Sequence, residues 1–168
     1  MNAEILAIGT ELLMGQIANT NAQFITARLS ELGVNVHYHT VVGDNAERLK
    51  ESLSLAFSRS DCVIMTGGLG PTYDDMTKET VAEYFNMPLK MDNVALNQIT
   101  EYFKSRGREM TPTNAKQALI PEGAITLYNK FGTAPGVLIE KDGKIAVMMP
   151  GPPREMKPMF IEYIVAFL

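Results

Sequence analysis

Apolar residues recur along this chain in two rhythms, and the rhythms take turns. Ile5-Leu6-Ala7-Ile8 is an apolar run of strand length, whereas Phe24, Ile25, Leu29 and Leu32 fall at helical spacing and stop at Gly33. Residues 34–42 alternate apolar with polar side chains as a second strand would, and Leu49, Leu53 and Phe57 mark the next helix. Residues 61–66 read as a buried parallel strand because their apolar side chains are nearly consecutive. Residues 77–85 continue as a helix, and 91–106 as an amphipathic helix ended by Gly107. A stretch rich in Thr, Pro and Asn follows, expected to cross a substrate cleft. Residues 136–140 and 144–149 read as strands joined at Lys141-Asp142-Gly143, where Asp-Gly favours a primed hairpin turn. Residues 152–168 begin a last helix with prolines.

Strands that alternate with helices predict a layered α/β domain with a largely parallel sheet, and the hairpin makes that sheet mixed. The 168 residues suffice for one core and suggest a single domain over 1–168, with no internal repeat or linker-like shift in composition. The apolar ending Ile164-Val165-Ala166-Phe167-Leu168 reads as that of one piece of a longer protein.

Composition narrows the function classes. Hydrophobic residues at 46% and charged ones at 20% describe an ordinary globular chain, with no apolar run of bilayer length. A net charge of −4, with no cluster of Lys and Arg, argues against a nucleic-acid or membrane partner. The start Met1-Asn2-Ala3-Glu4 is unlike a signal peptide and the single cysteine cannot form an internal disulfide, so the expected compartment is the cytoplasm. Cys62, among apolar neighbours, is expected to be a buried, inert thiol.

The chemistry concentrates at turns that follow strands. Thr66-Gly67-Gly68-Leu69-Gly70-Pro71-Thr72-Tyr73-Asp74-Asp75 joins a glycine-rich turn to adjacent carboxylates. Glycines let the backbone present N–H groups to an anion without obstruction, which suits a phosphate; Asp74 and Asp75 repel one. A divalent cation bridging phosphate and carboxylate resolves the conflict. The turn is neither a Walker A sequence nor a dinucleotide fingerprint. Thr72 and Asp75 also have capping-box spacing, but two successive acids cannot both cap one helix, so Asp75 is the expected functional member and Asp74 the helix starter.

Gly9-Thr10-Glu11, Gly132-Thr133-Ala134-Pro135-Gly136 and Pro150-Gly151-Pro152-Pro153-Arg154 are further small-residue turns. The turns after parallel strands share one sheet edge, where open α/β sheets bind ligands. Gly9, Thr10, Gly67, Gly68, Gly70, Thr72, Gly132, Gly136, Pro150, Gly151 and Arg154 are therefore candidate ligand contacts, with Arg154 as a phosphate clamp and Glu155 as a water-orienting group. Asp44 and Asp75 are the candidate catalytic acids; with Asp74 and Glu11 they form the candidate metal set. The structural alternatives are an N-cap for Asp44 and a solvated helix-start acid for Glu11. His37 and His39 share a strand face but have no third partner, which favours an ordinary exposed face over a metal site.

Taken together, Ile8-Gly9-Thr10-Glu11-Leu12-Leu13 with Gly15 and Asn19, Gly67 through Thr77, Asn114 with Gln117-Ala118, Gly132 through Gly136, and Pro150-Gly151-Pro152-Pro153-Arg154-Glu155-Met156 resemble the N-terminal domain of the competence/damage-inducible CinA family, within the molybdopterin-binding, MogA-like superfamily. The resemblance covers essentially the whole chain. It implies a three-layer α/β/α sandwich with a mostly parallel, mixed sheet, and a glycine loop that holds a pterin phosphate or related anion. It also implies acids at Asp44 and Asp75 that serve metal-assisted chemistry on a phosphoanhydride. For CinA-like domains the implied activity is hydrolysis of ADP-ribose to AMP and ribose 5-phosphate with Mg²⁺, Mn²⁺ or Co²⁺. The alternatives are molybdopterin binding or adenylylation, and a non-catalytic nucleotide-binding or assembly module. The resemblance further implies self-association as a homodimer or trimer, and a C-terminal amidase domain that these residues do not include.

Overall fold

A computed structural model describes residues 1–168. Its elements run β1 (Asn2–Ile8), α1 (Thr10–Leu13), α2 (Thr20–Glu31), β2 (Asn35–Val42), α3 (Ala46–Arg59), β3 (Cys62–Thr66), α4 (Thr77–Tyr84), β4 (Leu89–Met91), α5 (Asn93–Lys104), α6 (Pro112–Ala115), β5 (Leu119–Pro121), β6 (Ile125–Leu127), β7 (Gly136–Lys141), β8 (Lys144–Met149), α7 (Pro153–Met159) and α8 (Val165–Phe167). No helix is long and apolar enough to cross a membrane.

Six strands form one sheet in the order β2-β1-β3-β8-β7-β6. The first four are parallel; β7 runs antiparallel to both β8 and β6. The hairpin between β7 and β8 turns at Asp142 and Gly143, both at positive φ, as its Asp-Gly pair predicts. Alternate side chains of each central strand point to opposite faces. Leu6, Ile8, Val63, Met65 and Met148 pack on one side against Leu49, Leu53 and Phe57 of α3 and Val81 of α4. Ile5, Cys62, Ile64 and Val147 pack on the other against Ile25 and Leu29 of α2 and Met156 and Met159 of α7. Both faces are buried, giving the three-layer α/β/α sandwich and explaining the uninterrupted apolar runs.

Two stretches differ from the sequence expectation. Leu89–Met91 is a strand paired with β5, and the helix starts only at Asn93, because the Asp92 carboxylate accepts the N–H groups of Val94 and Ala95 and fixes the cap there. The last helix is not continuous: Pro158 lies inside it, and residues Phe160–Ile164 form a π-helical turn. Proline supplies no N–H and crowds the carbonyl four residues back, and a widened turn is one way for a helix to continue past that defect.

Candidate functional site

Chain order places the site. From β1 the chain passes to β2 on one side, then through α3 to β3 on the other, so the strand order reverses between β1 and β3. Gly9 and Gly67 leave adjacent strands at that point. Gly67 has φ +103°, and a side chain there would collide with the Ile8 carbonyl.

The glycine turn is held from behind. The Thr77 hydroxyl donates to the Gly67 carbonyl at 3.0 Å, the Thr77 N–H to the Gly68 carbonyl at 3.1 Å, and Gln117 Nε2 to the Leu69 carbonyl at 3.1 Å. A trans peptide points its N–H opposite to its carbonyl. The N–H groups of Gly68, Leu69 and Gly70 therefore point away from these anchors, and none has a partner within the chain. Three successive N–H groups without a partner form the kind of cradle in which an anion can be held.

The cradle opens into a cleft of about 420 Å³ lined also by Gly9, Glu11, Asp44, Thr72, Asp74, Asp75, Thr133, Pro150, Gly151 and Glu155. A second hollow of about 280 Å³ shares Ile8, Glu11, Gly151 and Pro152 with it and reaches Asn21 and Thr66. The main cleft carries five carboxylates and no Lys, Arg or His.

The two leading acids are held alike. Asp44 Oδ2 accepts the Thr10 N–H at 3.0 Å and the Thr10 hydroxyl at 2.8 Å. Asp75 Oδ2 accepts the Thr72 N–H at 2.9 Å and the Thr72 hydroxyl at 2.5 Å. Neither caps a helix: Asn45 caps α3, and α4 starts at Thr77 beyond both Asp74 and Asp75. The capping-box spacing of Thr72 and Asp75 is used by a free-standing turn.

Several candidates lie elsewhere. Thr10 does not line the cleft but holds Asp44. Gly136 is buried at the start of β7, where a Cβ would lie 2.6 Å from Met159 Sδ; its small size serves packing. The space at Gly132 is taken by the Glu155 carboxylate, which accepts from Asn129 Nδ2 at 2.8 Å. Arg154 is exposed outside the cleft, because the first turn of α7 points Glu155 inward instead. His37 and His39 are exposed on β2, with His39 bonded to the Thr26 hydroxyl. Burial pushes the Cys62 thiol up to about 12, as expected for an inert thiol. Thr133 is singled out in the sequence only as part of the Gly132–Gly136 turn, Gln117 only through the resemblance, and Lys78 not at all.

A family model described as "Probable molybdopterin binding domain" matches residues 4–168. The chain belongs to this family. Within it the CinA group is the near one: the structure titled "The crystal structure of the protein CinA with unknown function from Thermoplasma acidophilum" superposes with a TM-score of 0.90 at 36% identity, covering 99% of this chain and 98% of that one. A relative named "Putative competence-damage inducible protein" from Caldicellulosiruptor saccharolyticus is 56% identical over 168 residues, and one of the same name from Bacillus thuringiensis is 55% identical. The chain spans 41% of the length of each. The molybdopterin biosynthesis enzyme MoaB from Thermus thermophilus shares the fold, with a TM-score of 0.62 at 19% identity over 95% of this chain and 86% of that one. The MogA-like architecture of this CinA-type domain is thereby shared with proteins of quite different sequence.

Proposed function

We propose that this CinA-type domain binds a small phosphorylated ligand, a pterin phosphate of the molybdopterin type, by laying its phosphate on the N–H groups of Gly68, Leu69 and Gly70. The observation that carries the reading is the pairing of that cradle with a cleft that has five carboxylates and no basic side chain. An anion entering such a cleft meets net repulsion unless a cation comes with it.

The donor set fits a shared divalent cation. No three His, Cys, Asp or Glu side chains gather closely enough to hold an ion alone. Mg²⁺ commonly uses one or two carboxylates together with phosphate oxygens, and Asp44 and Asp75 each keep one oxygen clear of their threonine bonds. These two would hold the ion, with Asp74 and Glu11 at its margin. When bound, Mg²⁺, Mn²⁺ or Co²⁺ supplies charge neutralisation and polarises a phosphoryl oxygen. Thr10 and Thr72 keep the two carboxylates oriented, and the glycine turn fixes the phosphate against them.

The test is calorimetric titration of the chain with a pterin phosphate and with inorganic pyrophosphate, with and without Mg²⁺. Binding should require the cation and disappear in Asp75→Ala. Cation-independent binding, or unchanged affinity in that variant, would sink the reading.

The second hollow favours a further reading. A ligand with groups on both sides of a diphosphate fits a cleft that continues past Gly151. On this reading ADP-ribose is hydrolysed: a water oxygen bonds to one phosphorus, the bridging P–O bond breaks, and AMP and ribose 5-phosphate leave carrying the water's protons. Glu155, buried and held by Asn129, is placed to orient that water. Release of AMP from ADP-ribose and Mg²⁺, abolished by Asp75→Ala, is the expected result. A non-catalytic nucleotide-binding or assembly role would leave binding intact with no release. Self-association as a dimer or trimer, in the cytoplasm and without nucleic acid, completes the proposal; light scattering reads the assembly state.

A further inference from the structure

The cleft has no cation of its own, yet the chain buries one immediately behind it. Lys78, the second residue of α4, is 5% exposed. Its ammonium has no carboxylate partner; it donates to the Gln117 carbonyl at 2.7 Å and, more weakly, faces the Lys116 carbonyl at 3.5 Å. Gln117 is itself 3% exposed, and its side chain carries the bond to the Leu69 carbonyl. The Gln117 Oε1 is buried with no partner. A small hollow bordered by Lys78, Gln117 and the Lys116–Glu79 ion pair is closed on its other side by Gly68, Leu69, Gly70 and Asp75, so Lys78 borders the glycine turn from behind.

Stability alone does not explain this arrangement. Burying a charge without a counter-charge is unfavourable, and an apolar side chain of similar length would fill the space more cheaply. Burial lowers Lys78 to about 8, so it is still mostly protonated at neutral pH. The glutamine likewise leaves one buried acceptor unpaired, which a hydrocarbon would avoid.

We propose that Lys78 and Gln117 are a positioning pair for the ligand phosphate. Lys78 fixes the Gln117 backbone; Gln117 fixes the Leu69 carbonyl and with it the opposed N–H of Gly70. The lysine also places positive charge behind a cradle whose open side carries only acidic charged groups. This role rests on the phosphate reading of the cleft. Lys78 touches no ligand in it.

Lys78→Met and Gln117→Met keep side-chain length while removing the charge and the amide donor. Three measurements separate positioning from simple support: the affinity for inorganic pyrophosphate with Mg²⁺, the unfolding temperature, and the amide resonances of Gly68, Leu69 and Gly70 in the ligand-free chain. Each variant should bind pyrophosphate at least ~10-fold more weakly, with the Leu69 and Gly70 resonances displaced. Lys78→Met should unfold no lower than the unsubstituted chain. Wild-type affinity and unmoved resonances in both variants would overturn the pairing and leave the phosphate reading standing. Affinity lost only in proportion to lost folding would overturn it too. Failure of the unsubstituted chain to bind pyrophosphate would instead overturn the phosphate reading, and this inference with it.

Discussion

Thr10 grips one oxygen of Asp44 twice, through its backbone N–H and through its hydroxyl, across 34 residues of sequence. The bond ties the turn after β1 to the turn after β2 and leaves the second oxygen of Asp44 uncommitted. Thr10→Val keeps the backbone bond and removes the other. A hydrogen bond to a charged group contributes roughly 1.5–3 kcal/mol to stability, so the unfolding temperature should fall by roughly 3–12 °C, and with Asp44 less firmly oriented Mg²⁺-dependent pyrophosphate affinity should fall on the order of tenfold. Calorimetry on the variant at several Mg²⁺ concentrations checks it.

Gly67, which opens the glycine turn, is the residue of that turn whose side chain would meet backbone most closely. Alanine there adopts a positive φ, and its methyl group meets the backbone carbonyl of Ile8, which cannot turn aside without breaking the sheet. Strain of about 1–3 kcal/mol before any rearrangement lowers the unfolding temperature of a domain this size by roughly 2–12 °C. Thermal unfolding of Gly67→Ala should show this, and Gly15→Ala, with open space around the glycine, should cost less.

The buried lysine gives stability an unusual pH dependence. The ordinary value for Lys is 10.5 and burial brings Lys78 to about 8, with Glu79 pulling it back up and Lys116 adding to the fall. Between those values the unfolded chain holds a proton that the folded chain releases, so this group makes stability rise with pH from about 8 to 10.5. The full effect is roughly 3 kcal/mol, and Lys78→Met should abolish it. Urea denaturation of both chains from pH 7 to pH 10 measures the difference in slope.

Glu4 offers a control far from the chemistry. It is wholly buried in β1; burial pushes its carboxyl up, but hydrogen bonds from Arg59 and Thr40 outweigh that and hold it below the ordinary value. Arg59 also stacks 3.6 Å from the Tyr38 ring centre. Its stabilisation is complete above pH 4.5 and is lost as the pH falls through the depressed value. Arg59→Met strands the carboxylate and should cost about 3–5 kcal/mol in denaturation experiments, while any folded fraction binds pyrophosphate normally.

Much of this was readable from side-chain rhythm. The β3 run of Cys62, Val63, Ile64 and Met65 is apolar throughout because α-helices cover both faces of the sheet, and α2 and α3 show their buried stripes plainly. The Leu89–Met91 strand was not readable, since three residues hold no period. The pairing of Thr72 with Asp75 is legible in their spacing, but its place before the helix is not, since a turn and a helix cap use the same Thr-to-Asp spacing. Lys78 was invisible for a different reason. A lysine in the first turn of an amphipathic helix ordinarily faces water, and only the distant segment around Gln117 folds over it. Gly132 and Gly136 were misassigned because a glycine records only that space is needed, not what fills it.

One main-chain bond couples the parts of the cleft. The Gly67 N–H donates to the Met149 carbonyl at 3.0 Å, and a Cβ on Gly151 would lie 3.6 Å from the Gly67 Cα. The glycine turn and the Pro-Gly-Pro-Pro turn thus meet at one main-chain bond, although about eighty residues separate them in the chain. Displacing the turn after β8 would break this bond or carry with it the first amide ahead of the Gly68–Gly70 N–H groups.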